Sequence, residues 1–289
     1  MAELTEVTTK DKLLLQGLIF SSKSKRLALI YIHGLGGDFY GSPAKVAAFA
    51  RECRRRGFAF FIFNNRGNNT MTGAKKLAKN PKGYKYVNTG RCFEKFEDCV
   101  FDLDAFVKEA KKRGYRKIAL LGHSTGANKV VYYLSKKPDR SIVRAVLTGP
   151  VSDVPSQVKQ CGKGYRKLVA LAERMVSGRR GDALMPHGSP GWPMSARRFL
   201  SLSVAGSPED VFQYHMENPP YRALKRIRIP VLAVLGGKDE CTTMPPDAIL
   251  KSYRAANPLV ETAMIDGALH SFGGKEGRLA EVICAWISG

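Results

Sequence analysis

The sequence predicts an α/β protein: a mostly parallel central sheet flanked by helices, with one insertion. Three observations carry this expectation. Short apolar runs alternate with amphipathic segments along most of the chain, as expected for strands and helices of a wound sheet. One such run, residues 117–121, passes through Gly122-His123-Ser124-Thr125-Gly126 directly into an amphipathic segment at 127–136. The alternation lapses between about residues 154 and 225 and then resumes. Residues 1–153 and 226–289 are therefore expected to form the core, with 154–225 inserted on its rim as a lid.

Taking the elements in order, residues 13–20 and 27–32 read as strands joined by the polar turn Ser21-Ser22-Lys23-Ser24-Lys25-Arg26. The second is apolar throughout, as a strand covered on both faces should be. It runs into His33-Gly34-Leu35-Gly36-Gly37. A glycine-rich turn in this position lets backbone amides face a ligand, the arrangement a developing oxyanion requires. The expected donors are the N–H groups of Leu35 and Thr125, with Gly36 as the substitute for Leu35. His33 is expected to fix the loop rather than carry a proton.

A helix is expected over 44–56 and a buried strand over 58–63, ending in Asn64-Asn65-Arg66-Gly67. Residues 68–92 carry Lys75, Lys76, Lys79, Lys82, Lys85 and Arg91 and no acid. The stretch reads either as a lysine-rich lip favouring anionic substrates or as a mobile solvated loop. A long helix follows over 93–113, its stripe at Phe96, Val100, Leu103, Phe106 and Val107 facing the sheet. Another strand spans 142–149.

In the insertion, a helical stretch at 165–176 is mixed with Gly/Pro/Trp-rich sequence. Met185, Trp192, Met194, Phe199, Phe212 and Met216 either line an apolar acyl pocket or bury the lid against the body. His187 and His215 read as incidental. Strands at 230–235 and 260–265 then bracket a helix at 246–256, and a final amphipathic helix spans 275–287.

Composition bounds the function. Of 289 residues, 44% are hydrophobic and 9% aromatic, ordinary for a soluble globular protein with a substantial core. No membrane span is expected, since there is no run of about 18 apolar residues. Met1-Ala2-Glu3-Leu4-Thr5-Glu6 lacks a basic and then apolar leader, so a cytoplasmic location is expected. Cys53, Cys92, Cys99, Cys161, Cys241 and Cys284 form no Cys-x-x-Cys pair, which argues against structural zinc or a disulfide framework.

The formal net charge of +22 is uneven. Residues 1–150 hold 29 basic and 12 acidic side chains, whereas 226–289 hold 7 of each. Such a field attracts nucleic acid, anionic lipid or acidic substrates. Specific nucleic-acid binding is not expected, because no zinc knuckle, RNP pattern or homeodomain-like helix accompanies the charge. Many of the lysines fall where solvated helix faces are expected, as in Lys108-Glu109-Ala110-Lys111-Lys112-Arg113.

The chemistry centres on Ser124. A serine between two glycines, after a strand and before a helix, is the context of a nucleophile elbow. The turn is too tight for side chains two residues either side, and its serine hydroxyl is exposed at the top of the sheet. The plain alternative is an ordinary β-to-α turn with a capping serine. Asp239 and His270 each follow a late strand, in the order Ser124, Asp239, His270. Three loops carrying these types in this order suggest a catalytic triad. Glu240 and Asp153 compete for the acid.

With these residues in view, the chain resembles enzymes of the α/β-hydrolase fold from the strand before His33 to His270. The resemblance implies Ser124 as nucleophile, His270 as general base, Asp239 as orienting acid, and no cofactor or metal. Asn64-Asn65-Arg66-Gly67, Phe96-Glu97-Asp98-Cys99, Gly122-His123-Ser124-Thr125-Gly126 and Gly149-Pro150-Val151-Ser152-Asp153 are similar to a bacterial and archaeal branch related to fungal siderophore esterases. The chain departs from that pattern at Asn64-Asn65, where many relatives carry an aspartate before Arg-Gly. The implied activity is hydrolysis of a small-molecule carboxylic ester, one that could be anionic. Thioesterase, acyltransferase and peptidase chemistry use the same triad, and a non-catalytic binding protein is the alternative of a different class.

Overall fold

The computed structural model describes residues 2–186, 189 and 193–289. An eight-stranded sheet organises it. Strands β1 (Ala2–Thr8), β2 (Leu14–Phe20), β3 (Ala28–Ile32) and β4 (Ala59–Phe63) come first. A separate hairpin follows, β5 (Thr72–Leu77) and β6 (Tyr84–Thr89). Then come β7 (Ile118–His123), β8 (Ile142–Thr148), β9 (Val231–Gly236) and β10 (Val260–Ile265). The order across the large sheet is β1-β2-β4-β3-β7-β8-β9-β10. Only the pairings made by β2 are antiparallel; from β4 to β10 the strands run parallel.

The continuous apolar strands make sense because both faces are covered. In β3, Ile30 and Ile32 point into one core layer, while Leu29 and Tyr31 point into the other. In β4, Phe61 and Phe63 alternate with Phe60 and Ile62 in the same way. Helices α2 (Cys99–Lys112), α3 (Thr125–Lys136) and α7 (Pro246–Ala256) supply the first layer. There Phe63 stacks on Phe106 with ring centroids 4.3 Å apart. Helices α1 (Pro43–Arg55) and α8 (Glu276–Ser288) supply the second. At about 1.5–3 kcal/mol per fully buried large apolar side chain, these two layers dominate the stability of the sheet.

Helices α4 (Val154–Cys161), α5 (Tyr165–Ser177) and α6 (Ala196–Ser203) lie between β8 and β9 in the chain. They gather a third apolar cluster around Ala172, Met185, Met194 and Phe199, against which Leu35 packs. Among the described residues no helix is long and apolar enough to cross a membrane.

Several elements differ from the sequence expectation. β1 forms an edge strand where none was assigned, and α4 and α6 add two helices in the inserted segment. The helix expected from residue 93 begins as a 3-10 turn at Phe96–Asp98 before α2. Residues 72–89 form an ordered hairpin rather than a mobile loop. It is pinned to the body where the Leu77 N–H donates to the Lys12 carbonyl at 2.9 Å.

Candidate active site

Ser124 sits between the end of β7 and the first residue of α3 with φ 55° and ψ −128°, a conformation that L-residues avoid. Its flanking glycines are required by contact. A methyl at Gly122 would collide with the Gly126 carbonyl, and one at Gly126 with the Ile32 carbonyl. A methyl at Gly34 would stand 2.8 Å from Ser124 Cβ. The loop after β3 therefore lies directly against the serine. Ser124 Oγ makes no hydrogen bond to any described residue and opens into a cavity of about 380 Å³.

His270 lines the same cavity. Its Nδ1 lies 3.0 Å from both Oδ1 and Oδ2 of Asp239, which is buried beyond β9. That contact fixes the imidazole so that Nδ1 carries the proton toward the carboxylate and Nε2 is left to act. Asp239 is itself held by the Cys241 N–H, which donates to Oδ1 at 3.0 Å. Glu240 is occupied differently, its carboxylate accepting from the His270 backbone N–H at 2.8 Å. Asp153 makes no hydrogen bond to His270, and burial, with the charge of Glu209, pushes its carboxyl up to about 7.

Burial works against a charged imidazole at His270, but the Asp239 hydrogen bond and the neighbouring Cys241 outweigh it and push the group up to about 10. The structure thus joins Asp239 to His270 and places Ser124 and His270 around one cavity. It shows no hydrogen bond between Ser124 and His270. Catalytic hydrogen bonds are often open in unliganded sites and tighten when substrate binds.

The two expected oxyanion donors are unspent. Thr125 is the first residue of α3, so its N–H has no acceptor within the helix. Among the described residues, neither it nor the Leu35 N–H donates a backbone hydrogen bond. Leu35 and Gly36 line the cavity with Ser124.

The loop after β3 is braced from below. His33 is buried, its Nδ1 donating to the Gly34 carbonyl at 2.9 Å and its Nε2 accepting from the Asn65 N–H at 2.9 Å. Burial foremost, and the charge of Lys129, depress His33 to about 3, so it stays neutral. Asn65 Nδ2 also donates to the His33 carbonyl at 3.1 Å, and Lys129 Nζ donates to Asn65 Oδ1 at 3.1 Å. Lys129 pairs with Glu94 at 2.6 Å, Glu94 with Arg198 at 3.4 Å, and Arg198 with Glu209 at 2.5 Å. All four side chains are fully or almost fully buried. This chain of charges ties α3 to α6 and supplies a role for Asn65. Beside it, Arg66 pairs with the buried Asp102 at 2.7 Å.

The remaining expectations fall elsewhere. Met185, Met194 and Phe199 bury the inserted helices, and Phe212 enters the main core. None of these, nor Met216, lines the Ser124 cavity. His187 and Trp192 lie outside the described residues. His215 Nδ1 lies 3.0 Å from Ser152 Oγ. None of the lysines at 75, 76, 79, 82 and 85 lines the Ser124 cavity; Lys76 lines a separate cavity of about 570 Å³ beside Asp11, Arg66 and Asp98. That second cavity has no serine, cysteine or histidine among its lining residues.

Sequence reasoning missed three groups: Lys45 and His123 in the cavity wall, and Cys241 beside the His270–Asp239 pair. Asp239, Cys241 and His270 bring donor atoms within 4.8 Å of one another. Such a set suits a soft divalent cation, although Asp239 and His270 are engaged with each other.

Residues 82–288 match a family described as "Protein of unknown function (DUF1749)". The chain belongs to this family. No curated protein matches it by sequence. Among solved structures, the DUF1749 chain is similar to the siderophore hydrolase EstB from Aspergillus fumigatus. That likeness has 19% identity and a TM-score of 0.64, covering 95% of this chain and 94% of the other. An esterase from Pyrococcus furiosus is similar at 17% identity and a TM-score of 0.63, covering 99% and 90%. Est1E from Butyrivibrio proteoclasticus, with ferulic acid bound, is similar at 16% identity and 0.64, covering 97% of each. The DUF1749 chain therefore has the α/β-hydrolase fold, with its strained serine at the turn from β7 to α3.

Proposed function

We propose that the protein is a serine hydrolase of carboxylic esters, working through Ser124, His270 and Asp239. The observation that carries the reading is Ser124 at φ 55°, its hydroxyl bonded to no described residue, in a cavity it shares with a histidine already oriented by a buried carboxylate. A serine hydroxyl is a weak nucleophile near neutral pH. His270 Nε2 takes its proton as Oγ attacks the ester carbonyl carbon. Asp239 holds the imidazole and stabilises the imidazolium without itself being protonated.

The tetrahedral intermediate places its negative oxygen on the Leu35 and Thr125 amides, each such donor lowering the barrier by roughly 3–4 kcal/mol. The C–O bond breaks as His270 returns the proton to the departing alcohol. Water then attacks the acyl-enzyme along the same route, with His270 again as base. Residues 154–225 serve as a cap over this centre, since Leu35 packs into their apolar cluster. The esterase names carried by the similar structures support the same reaction class.

Turnover of 4-nitrophenyl acetate by the wild type and by Ser124→Ala tests the assignment. The variant is expected to lose about 10⁴-fold or more in kcat. An undiminished rate would reject it.

A further inference from the structure

Within the Ser124 cavity one cationic side chain has no bonded partner among the described residues. Lys45 lies in the first turn of α1, half-buried, and lines the cavity with His123, Ser124 and His270. Its Nζ makes no hydrogen bond and no ion pair with any described residue. Glu276, in the first turn of α8, acts on it through space without contact. His123, at the end of β7, is held well below the ordinary histidine value by burial, by Lys45 and by His270, and so remains neutral. Asp38 is the one carboxylate in the lining, and it is turned into its own loop, accepting from the backbone N–H groups of Tyr40 and Gly41.

We propose that Lys45 binds a carboxylate carried by the ester substrate, so that the preferred esters of this enzyme are monoanions. The inference rests on the esterase reading for its substrate frame, but its binding claim can be tested without turnover. An ammonium withdrawn from water gains most from an anion that enters the same low-dielectric space. Desolvation already costs Lys45 part of its charge affinity, lowering it to about 8. One lysine, with no arginine or second lysine in the lining, matches a single negative charge rather than the two of a phosphate monoester. The lysine-rich hairpin β5–β6 is not the reader of that charge, because none of its residues lines the cavity.

Matched substrates decide the question. Mono(4-nitrophenyl) adipate against 4-nitrophenyl hexanoate places the carboxylate on the acyl side. 4-Acetoxybenzoate against 4-methylphenyl acetate places it on the alcohol side. The readout is the ratio of kcat/KM for the anionic over the neutral ester, compared between wild type and variant. A hydrogen bond to a charged group implies that Lys45→Met lowers this ratio about tenfold or more in one arm, through KM, while Lys45→Arg retains it. In the wild type the ratio declines as pH rises through about 8 and the ammonium loses its proton. Glu276, His123, His270 and Asp38 are the titrating groups around it.

An unchanged ratio in both arms overturns the proposal. If no ester is turned over, the esterase reading fails by itself. Binding of monomethyl adipate, which carries a single carboxylate, followed by NMR titration then judges Lys45 alone. Binding weakened about tenfold by Lys45→Met sustains the proposal, and binding that is absent or indifferent to the substitution overturns it.

Discussion

Lys45 and Lys129 are both drawn away from solvent, yet they end in opposite electrostatic states. Lys129 is fully buried in α3, pairs with Glu94 at 2.6 Å and donates to Asn65. Lys45 stands half-buried in the wall of the Ser124 cavity with no hydrogen bond or ion pair to any described residue. The same contrast separates the two regions around them. Beneath the loop after β3, charges are matched in series from Lys129 through Glu94 and Arg198 to Glu209. Above that loop, the serine hydroxyl, two backbone amides and an ammonium are unspent among the described residues. Matched groups hold a shape, because breaking them is costly, whereas unmatched groups are available to a ligand.

This contrast can be broken in graded steps. The largest effect is expected in the upper region. Asp239→Asn should leave the fold intact, present the wrong imidazole tautomer to Ser124 and lower kcat by about 10⁴, measured on a short-chain ester. In the lower region, Lys129→Met strands Glu94 beside Arg198. It is expected to cost about 3–5 kcal/mol of stability, read by denaturant unfolding.

Asn65→Ala sits at the junction of the two. It removes the contacts to the His33 carbonyl, the Gly67 N–H and Lys129. Because it loosens the loop that carries Leu35, kcat should fall more than KM rises, with about 1–3 kcal/mol lost from stability as buried partners go unmet. The smallest effect is on pH. As the proposed general base His270 must be deprotonated, and its affinity for the proton is raised above the ordinary value of 6.5. The acid limb of kcat/KM should therefore lie above 6.5, with activity climbing as pH rises. A limb at or below 6.5 would mean that Asp239 and Cys241 do not stabilise the imidazolium in solution.

Much of the upper region was legible in the sequence because local rules dictate it. A serine at positive φ demands glycines two residues away, and buried parallel strands demand unbroken apolar runs, so both leave marks in the order of residues. The contact between Asp239 and His270 was legible in their positions after late strands. The lower region was not. Lys129 in α3 looks like any lysine of a solvated face, and only the tertiary fold brings it to Glu94 and Arg198.

The hairpin was missed for a related reason. Its strands bury almost nothing, and Lys75 and Lys76 sit amid alternating half-exposed positions, so no apolar period marks them. Edge strand β1 is likewise largely exposed, with only Val7 buried. In α6, eight residues are too few for a helical period to stand out. Lys45 was hidden in the expected face of α1, since nothing local distinguishes a lysine that meets solvent from one that meets a cavity.

The central claim is that Ser124 is an activated nucleophile, and labelling with a fluorophosphonate tests it without any knowledge of the natural substrate. Peptide mapping of the labelled protein is expected to find the adduct on Ser124, with labelling lost in Ser124→Ala and strongly slowed in Asp239→Asn. An unlabelled wild type, or an adduct that persists in Ser124→Ala, would contradict the account.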